Sequence, residues 1–159
     1  YDTNACEAYN YVKSGELGNI SGGVVNHNGD MESPYDGLYF YSPHVTEMML
    51  NTFGYNPKTV KATKLDSKNI SATVKYEDKL VTLNVNNYTY VPTILVYGEK
   101  DVYVKQIKNS DCYKQGFIEF VKELKAGKPS VSIEDRFKSV YFIAALIEAI
   151  ETGKEIVID

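Results

Sequence analysis

Between residues 58 and 106 the apolar side chains recur at every second position, and this run constrains the fold more than any other feature of the sequence. Val60 and Ala62 alternate with polar neighbours, then Ile70, Ala72, Val74 and Tyr76, then Val81, Leu83 and Val85. A period of two puts the apolar set on one face of a strand, and short polar breaks such as Glu77-Asp78-Lys79 turn the chain back on itself. Residues 93–97 and 102–106 add a hairpin around Gly98-Glu99-Lys100-Asp101. The stretch predicts a meander of about five antiparallel strands with one buried face.

Helical spacing brackets this meander. Ala5, Ala8, Tyr9 and Val12 share one face of a segment over 2–14, which Gly15 and Gly18 end. Residues 19–27 predict a strand from Ile20, Val24 and Val25, weakened or bulged by Gly22-Gly23. After Asp111, Tyr113, Phe117, Phe120, Val121 and Leu124 line a second helix, which stops at Gly127-Lys128-Pro129. Ser132 and Asp135 form a capping box for a third helix, running to Thr152 and ended by Gly153. Its residues 140–147 are apolar nearly all round, so this helix is expected to be buried on more than one side, against the sheet and against another helix or domain. Residues 155–158 close the chain as a short strand. The expected fold class is α+β: a mostly antiparallel sheet of about six strands with helices packed on one face, in a single domain over 1–159. The other sheet face carries Thr, Tyr, Asn and Lys and is left to solvent or to an interface between copies.

Composition narrows the function. The net charge of −4 and the pI near 5.3 argue against nucleic acid and anionic membranes as main partners. The two cysteines, Cys6 and Cys112, sit in no metal or redox spacing, so a reduced, cytoplasmic setting is expected and no metal is. There is no apolar run of spanning length and no signal-peptide pattern. The chain begins at Tyr1 rather than Met, which marks it as processed or as a piece of something longer.

Chemistry concentrates in residues 37–54. The apolar residues 38–41 predict a short strand running straight into a helix, with Ser42 as N-cap, Pro43 at the first helical position and Gly54 as the stop. His44 then falls in the first turn, where the helix dipole favours a neutral ring able to exchange a proton near pH 7. The alternative is a His that merely packs at the surface. Glu47, three residues on, either orients the ring or is a solvated first-turn carboxylate. Tyr39 and Tyr41 either stack on a sugar or serve as strand residues. His27 ends the strand over 19–27 beside the Asn28-Gly29-Asp30 turn and is expected to belong to the loop, with the alternative that it faces the same cleft as His44.

No dinucleotide fingerprint, phosphate loop, Gly-x-Ser-x-Gly elbow or cluster of metal-binding carboxylates is present. By its own residues the chain does not declare an enzyme. Three segments together, however, resemble the C-terminal domain of the Gfo/Idh/MocA family of sugar and polyol oxidoreductases. Residues 12–20, with Ser14-Gly15-Glu16-Leu17-Gly18, are similar to the helix end before that domain's first strand. Residues 37–44 are similar to its glycine-led run into a catalytic His, with His44 at the matching position. Residues 137–159 are similar to its last helix and strand.

The resemblance implies a substrate-binding and oligomerisation domain of an NAD- or NADP-dependent oxidoreductase acting on a sugar, polyol or related hydroxyl compound. It further implies an upstream Rossmann domain that holds the cofactor and supplies a Lys, and a homo-oligomer formed through the sheet face. His44 would handle the hydroxyl proton, with Tyr39, Tyr41 and Glu47 around the substrate. This chain alone would neither hold the cofactor nor turn over. One departure stands out: many members carry an Asp four residues before the His, and Phe40 stands there instead. The alternative is a non-catalytic carbohydrate-binding or dimerisation module of the same fold.

Overall fold

The computed structural model describes residues 2–88, 90–108 and 111–158, so the chain ends Tyr1 and Asp159 lie outside the described residues. In chain order the elements are α1 (Thr3–Lys13), β1 (Ile20–His27), α2 (Leu38–Phe53), β2 (Thr59–Asp66), β3 (Asn69–Lys75), β4 (Leu80–Asn86), β5 (Thr93–Gly98), β6 (Val102–Gln106), α3 (Cys112–Ala126), α4 (Ile133–Thr152) and β7 (Glu155–Val157). The fold is α+β, and its open sheet has seven strands in the order β6-β5-β1-β4-β3-β2-β7. Every neighbouring pair is antiparallel except β1 with β4.

The alternation sets the buried face. Val60, Val74, Val81, Leu83, Ile94 and Val96 are all fully buried. They pack against one side of α2 and α4, which contribute Val45, Met49, Leu50, Phe142 and Leu146. Asp2 caps α1 through its carboxylate, which accepts the N–H of Asn4 at 2.9 Å and of Ala5 at 3.3 Å. Ser132 caps α4 by accepting the Asp135 N–H at 3.0 Å, and Gly153 ends it in the left-handed conformation.

Two expectations are corrected. The glycine pair does bring a register shift in β1, between Ile20 and Gly22, but it does not weaken the strand, which is paired on both sides at the centre of the sheet. A Cβ on Gly22 would stand 2.1 Å from the Leu80 carbonyl oxygen, and one on Gly23 2.2 Å from that of Leu95. Bare backbone is what lets both neighbours close in. The Gly22→Ala chain is expected to lose about 1–3 kcal/mol of stability, the range for overpacking a tight interior, seen as a lower thermal midpoint. An unchanged midpoint would mean that this pairing is looser than the register implies.

The second correction concerns α2. Residues 38–41 are helix, not strand. Leu38, Ser42, Val45, Met49 and Phe53 are all buried at spacings of three and four, and this helical period overrides the strand preference of the aromatic trio between Leu38 and Ser42. Ser42 is therefore no N-cap: its hydroxyl donates to the Leu38 carbonyl one turn back. Pro43 lies inside the helix, and the helix starts instead at Gly37, whose φ of 55° and close approach to the Met31 carbonyl oxygen exclude a side chain.

α4 packs on the sheet at β2 and against the helix α2, as its apolar stretch predicts. It buries Phe142, Ile143, Ala145, Leu146, Ala149 and Ile150, but the opposite side of its apolar stretch, with Val140 and Tyr141, is exposed.

Candidate functional site

Because α2 begins at Leu38, His44 lies in its second turn, beyond the reach of the strongest dipole field. A neutral ring nevertheless results, for another reason. β1 ends at His27 against the same helix, and the two imidazoles stack with centroids 5.3 Å apart and planes inclined by 21°. His44 is exposed at the surface, yet lost hydration on its inner side lowers its pKa from the ordinary 6.5. His27 is buried. Its pKa is also lowered, first by burial and then by the neighbouring His44, against a hydrogen bond to Asn28 that pulls the other way.

That hydrogen bond fixes the chemistry of His27. Its Nδ1 lies 2.8 Å from the Asn28 carbonyl oxygen, which can only accept, so Nδ1 carries the proton and Nε2 is bare in the neutral ring. The sequence left His27 beside a turn, with the shared cleft as the alternative. The structure brings it to His44 because the strand end and the helix meet across the sheet face, a tertiary contact with no local signature.

The pH dependence follows in sign. The unfolded chain binds protons on His27 and His44 more readily than the folded chain, so this contribution is complete above pH 6.5 and lost as the pH falls below it. The thermal midpoint is expected to fall between about pH 7.5 and about pH 5.5, and to fall less in His27→Gln. An identical fall in that variant would contradict the buried, neutral His27.

The other expected site residues are spread along α2. Tyr39 is half exposed and lines an open cleft of about 300 Å³ with Met31, Asp36, Gly37, Leu38 and Ile147. His44, Tyr41 and Glu47 do not line that cleft. Tyr41 instead packs edge-on against Phe40, with centroids 5.1 Å apart, and Tyr35 also packs on Phe40, tilted, at 5.4 Å. Glu47 accepts from Asn51 Nδ2 at 3.3 Å, and Asn51 in turn accepts from the Tyr55 hydroxyl at 3.0 Å. Glu47 is thus tied down the helix. Asp36, which the sequence did not single out, lines the cleft with φ at 77°, a left-handed conformation that Asp adopts more readily than most residues. Phe40 holds no carboxylate toward His44, and the nearest acidic residue before it in the chain is Asp36, one helical turn further back.

Gly18, Gly22 and Gly23 leave no room for a dinucleotide's phosphates. Gly22 and Gly23 are closed between strands. Gly18 sits against the Glu99 carboxylate, which also accepts the Asn19 N–H at 3.3 Å, so this turn is already filled by an anion. Among the described residues no three His, Cys, Asp or Glu side chains gather as metal ligands, and both cysteines are free thiols. No helix among them is long and apolar enough to cross a membrane.

No protein-family model matches the sequence, and no curated protein matches it significantly. Solved structures do match in shape. A probable dehydrogenase from Thermotoga maritima superposes with a TM-score of 0.84 at 16% identity, over 99% of this chain and 62% of its own. A myo-inositol dehydrogenase from Corynebacterium glutamicum gives 0.85 at 15% identity, over 100% of this chain and 62% of its own. A scyllo-inositol dehydrogenase from Lactobacillus casei, solved with bound NAD(H) and scyllo-inositol, gives 0.79 at 15% identity, over 99% and 62%. The chain spans less than two thirds of each of these proteins. Throughout its length it carries the fold that these dehydrogenases have over the matched part of theirs.

Proposed function

We propose that this chain is the substrate-side domain of a Gfo/Idh/MocA-type oxidoreductase, the C-terminal part of a longer polypeptide whose preceding Rossmann domain holds NAD or NADP. The observation that carries this reading is the match of the whole chain to dehydrogenases, two of them inositol dehydrogenases and one of these with NAD(H) and scyllo-inositol bound. His44 supplies the local chemistry. Its ring is exposed to an incoming hydroxyl, and partial burial keeps it neutral and able to accept a proton. Tyr39, with the cleft it lines, offers a face for the carbon skeleton of a sugar or polyol. The dinucleotide is held elsewhere in the polypeptide, a reading supported by the closed surroundings of Gly18, Gly22 and Gly23.

The open sheet face supports self-association. Register places Leu95 beside Val104 and Val24, and Tyr97 beside Val102, so an apolar patch lies at the β6 end of an otherwise Asn- and Thr-rich face. Exposed apolar surface of this kind marks an interface, and a homo-oligomer through this face is the proposed assembly.

The test is to assay the parent polypeptide for reduction of NAD or NADP by a panel of inositols, sugars and polyols. Reduction that depends on the added polyol is expected. The second reading, a carbohydrate-binding or dimerisation module, draws on Phe40, which leaves His44 without the carboxylate that many family members place there. Sugar binding with no reduction of either cofactor would favour it and contradict the first.

A further inference from the structure

Neither the core nor the candidate site uses the two thiols of the chain. Cys6 on α1 and Cys112 at the start of α3 are both free and both half-buried. They are far apart in sequence, but the fold brings their helices together. The Asp111 carboxylate accepts the Thr3 N–H at 3.0 Å and also the Thr3 hydroxyl. Cys112 directly follows Asp111, and Cys6 lies three residues after Thr3, on the same side of α1. Burial also shows which side of α3 turns inward. Cys112, Gln115 and Glu119 recur at helical spacing and are half-buried, whereas Tyr113, Phe117 and Phe120 are exposed. Burial pushes the Cys6 thiol pKa up, and the nearby Glu119 and Asp111 carboxylates push it the same way. Cys6 therefore faces the stripe of α3 that begins with Cys112. α3 itself is loosely held. It buries none of its fifteen residues. Its side-chain bonds to the body of the chain lie near its two ends, at Asp111 and where Arg136 of α4 bonds both carboxylate oxygens of Glu123 at 3.1 and 3.2 Å. A helix with so little burial belongs to the least stable part of a fold.

We propose that Cys6 and Cys112 are a reversible disulfide pair, oxidised by a small disulfide such as oxidised glutathione, and that the bond draws the start of α3 onto α1. The order of events follows from burial. Cys6 is held protonated, so the first attack falls to Cys112. The Cys112 thiolate attacks one sulfur of the small disulfide, whose S–S bond breaks. A mixed disulfide forms on Cys112, and one small thiolate leaves and takes up the proton that Cys112 lost. Cys6 then gives up its proton and attacks the Cys112 sulfur. The bond between the two cysteines forms, and the second small thiol leaves carrying that proton. The two protein thiols are oxidised and the small disulfide is reduced to two thiols. Bridging needs α-carbons about 4.4–6.8 Å apart, and α3, fastened near its ends, has the freedom to shift toward α1. α1 packs in turn on α2, the helix that carries His44, so the bond would fasten α3 to the frame of the candidate site.

The test equilibrates the native polypeptide in glutathione buffers of rising oxidised fraction, blocks the remaining thiols, and maps the peptides by mass. A peptide pair linked through Cys6 and Cys112 is expected, two hydrogens lighter than the reduced pair and lost on treatment with dithiothreitol. Hydrogen exchange reads the closure. The amides of α3 are expected to exchange roughly tenfold or more slowly in the oxidised protein, while those of β3 and β4 are equally protected in both states. Cys6→Ser and Cys112→Ser are each expected to abolish both the linked pair and the slowing, and to leave the sheet protected. Should either variant fail to fold, the wild-type comparison alone decides. Glutathione that stays on Cys112 without yielding the linked pair overturns the proposal. So does a linked pair that forms only in urea, since the native fold then holds the thiols apart. A native linked pair with unchanged α3 exchange overturns the closure of α3 on α1.

Discussion

Replacing His44 with Ala in the parent polypeptide is expected to lower turnover by about 10²- to 10⁴-fold, the usual contribution of a positioned acid or base, with KM for the polyol nearly unchanged. The separation follows from the geometry. His44 stands on α2 outside the cleft lined by Tyr39 and Leu38, so removing its ring deletes a proton acceptor and leaves the cleft intact. Its own environment makes a further demand. Because partial burial lowers its pKa from 6.5, the acid limb of kcat/KM for polyol oxidation lies below that value, and activity persists to lower pH than an unperturbed imidazole would allow. His44→Ala removes this limb. A variant with unchanged kcat, or one that loses only substrate affinity, contradicts the role of His44 as the acid–base group.

The largest expected effect on stability is at Phe142. Its ring is fully buried in the core where α4 packs on α2 and β2. Phe142→Ala removes an aromatic side chain from a site that cannot readily collapse and is expected to cost about 3–5 kcal/mol. Domains have only about 5–15 kcal/mol in hand, so much of the margin disappears. The comparison that isolates the cause is Phe117→Ala, the same change on the uncovered face of α3, expected within about 0.5 kcal/mol of wild type in residues 1–159. Urea unfolding of both variants decides it. Equal losses would mean that α3 is packed on the body of this chain, contrary to its exposure.

How far the sequence foretells the molecule depends on how local each signal is. The alternation of Ile70, Ala72 and Val74 and of Val81, Leu83 and Val85 marks strands whose hairpin lies within a few residues, and the register of β3 on β4 agrees with it. The Ser132 cap is legible for the same reason. α2 is misread at its start because three aromatic residues prefer strand, and only the buried positions of Leu38 and Ser42 against the sheet decide for helix. The parallel pairing of β1 with β4 joins residues far apart in the chain, and no local pattern announces it. The stack of His27 on His44 depends on that same placement. Glu47 is within helical reach of His44, but Asn51 one turn on is its hydrogen-bond partner. The exposure of α3 could not be read from its stripe, which looks the same whether the partner lies within the chain or beyond it.

The central claim is that this fold works as one part of a longer oxidoreductase, and the mass of the native polypeptide tests it most directly. An antibody raised against residues 1–159 would isolate the protein from its source cells for intact mass measurement. A chain about twice this mass or more is expected, since a further domain adds on the order of 150 residues, and a protein that is retained on immobilised NAD or NADP. A native polypeptide of 17.9 kDa would contradict it.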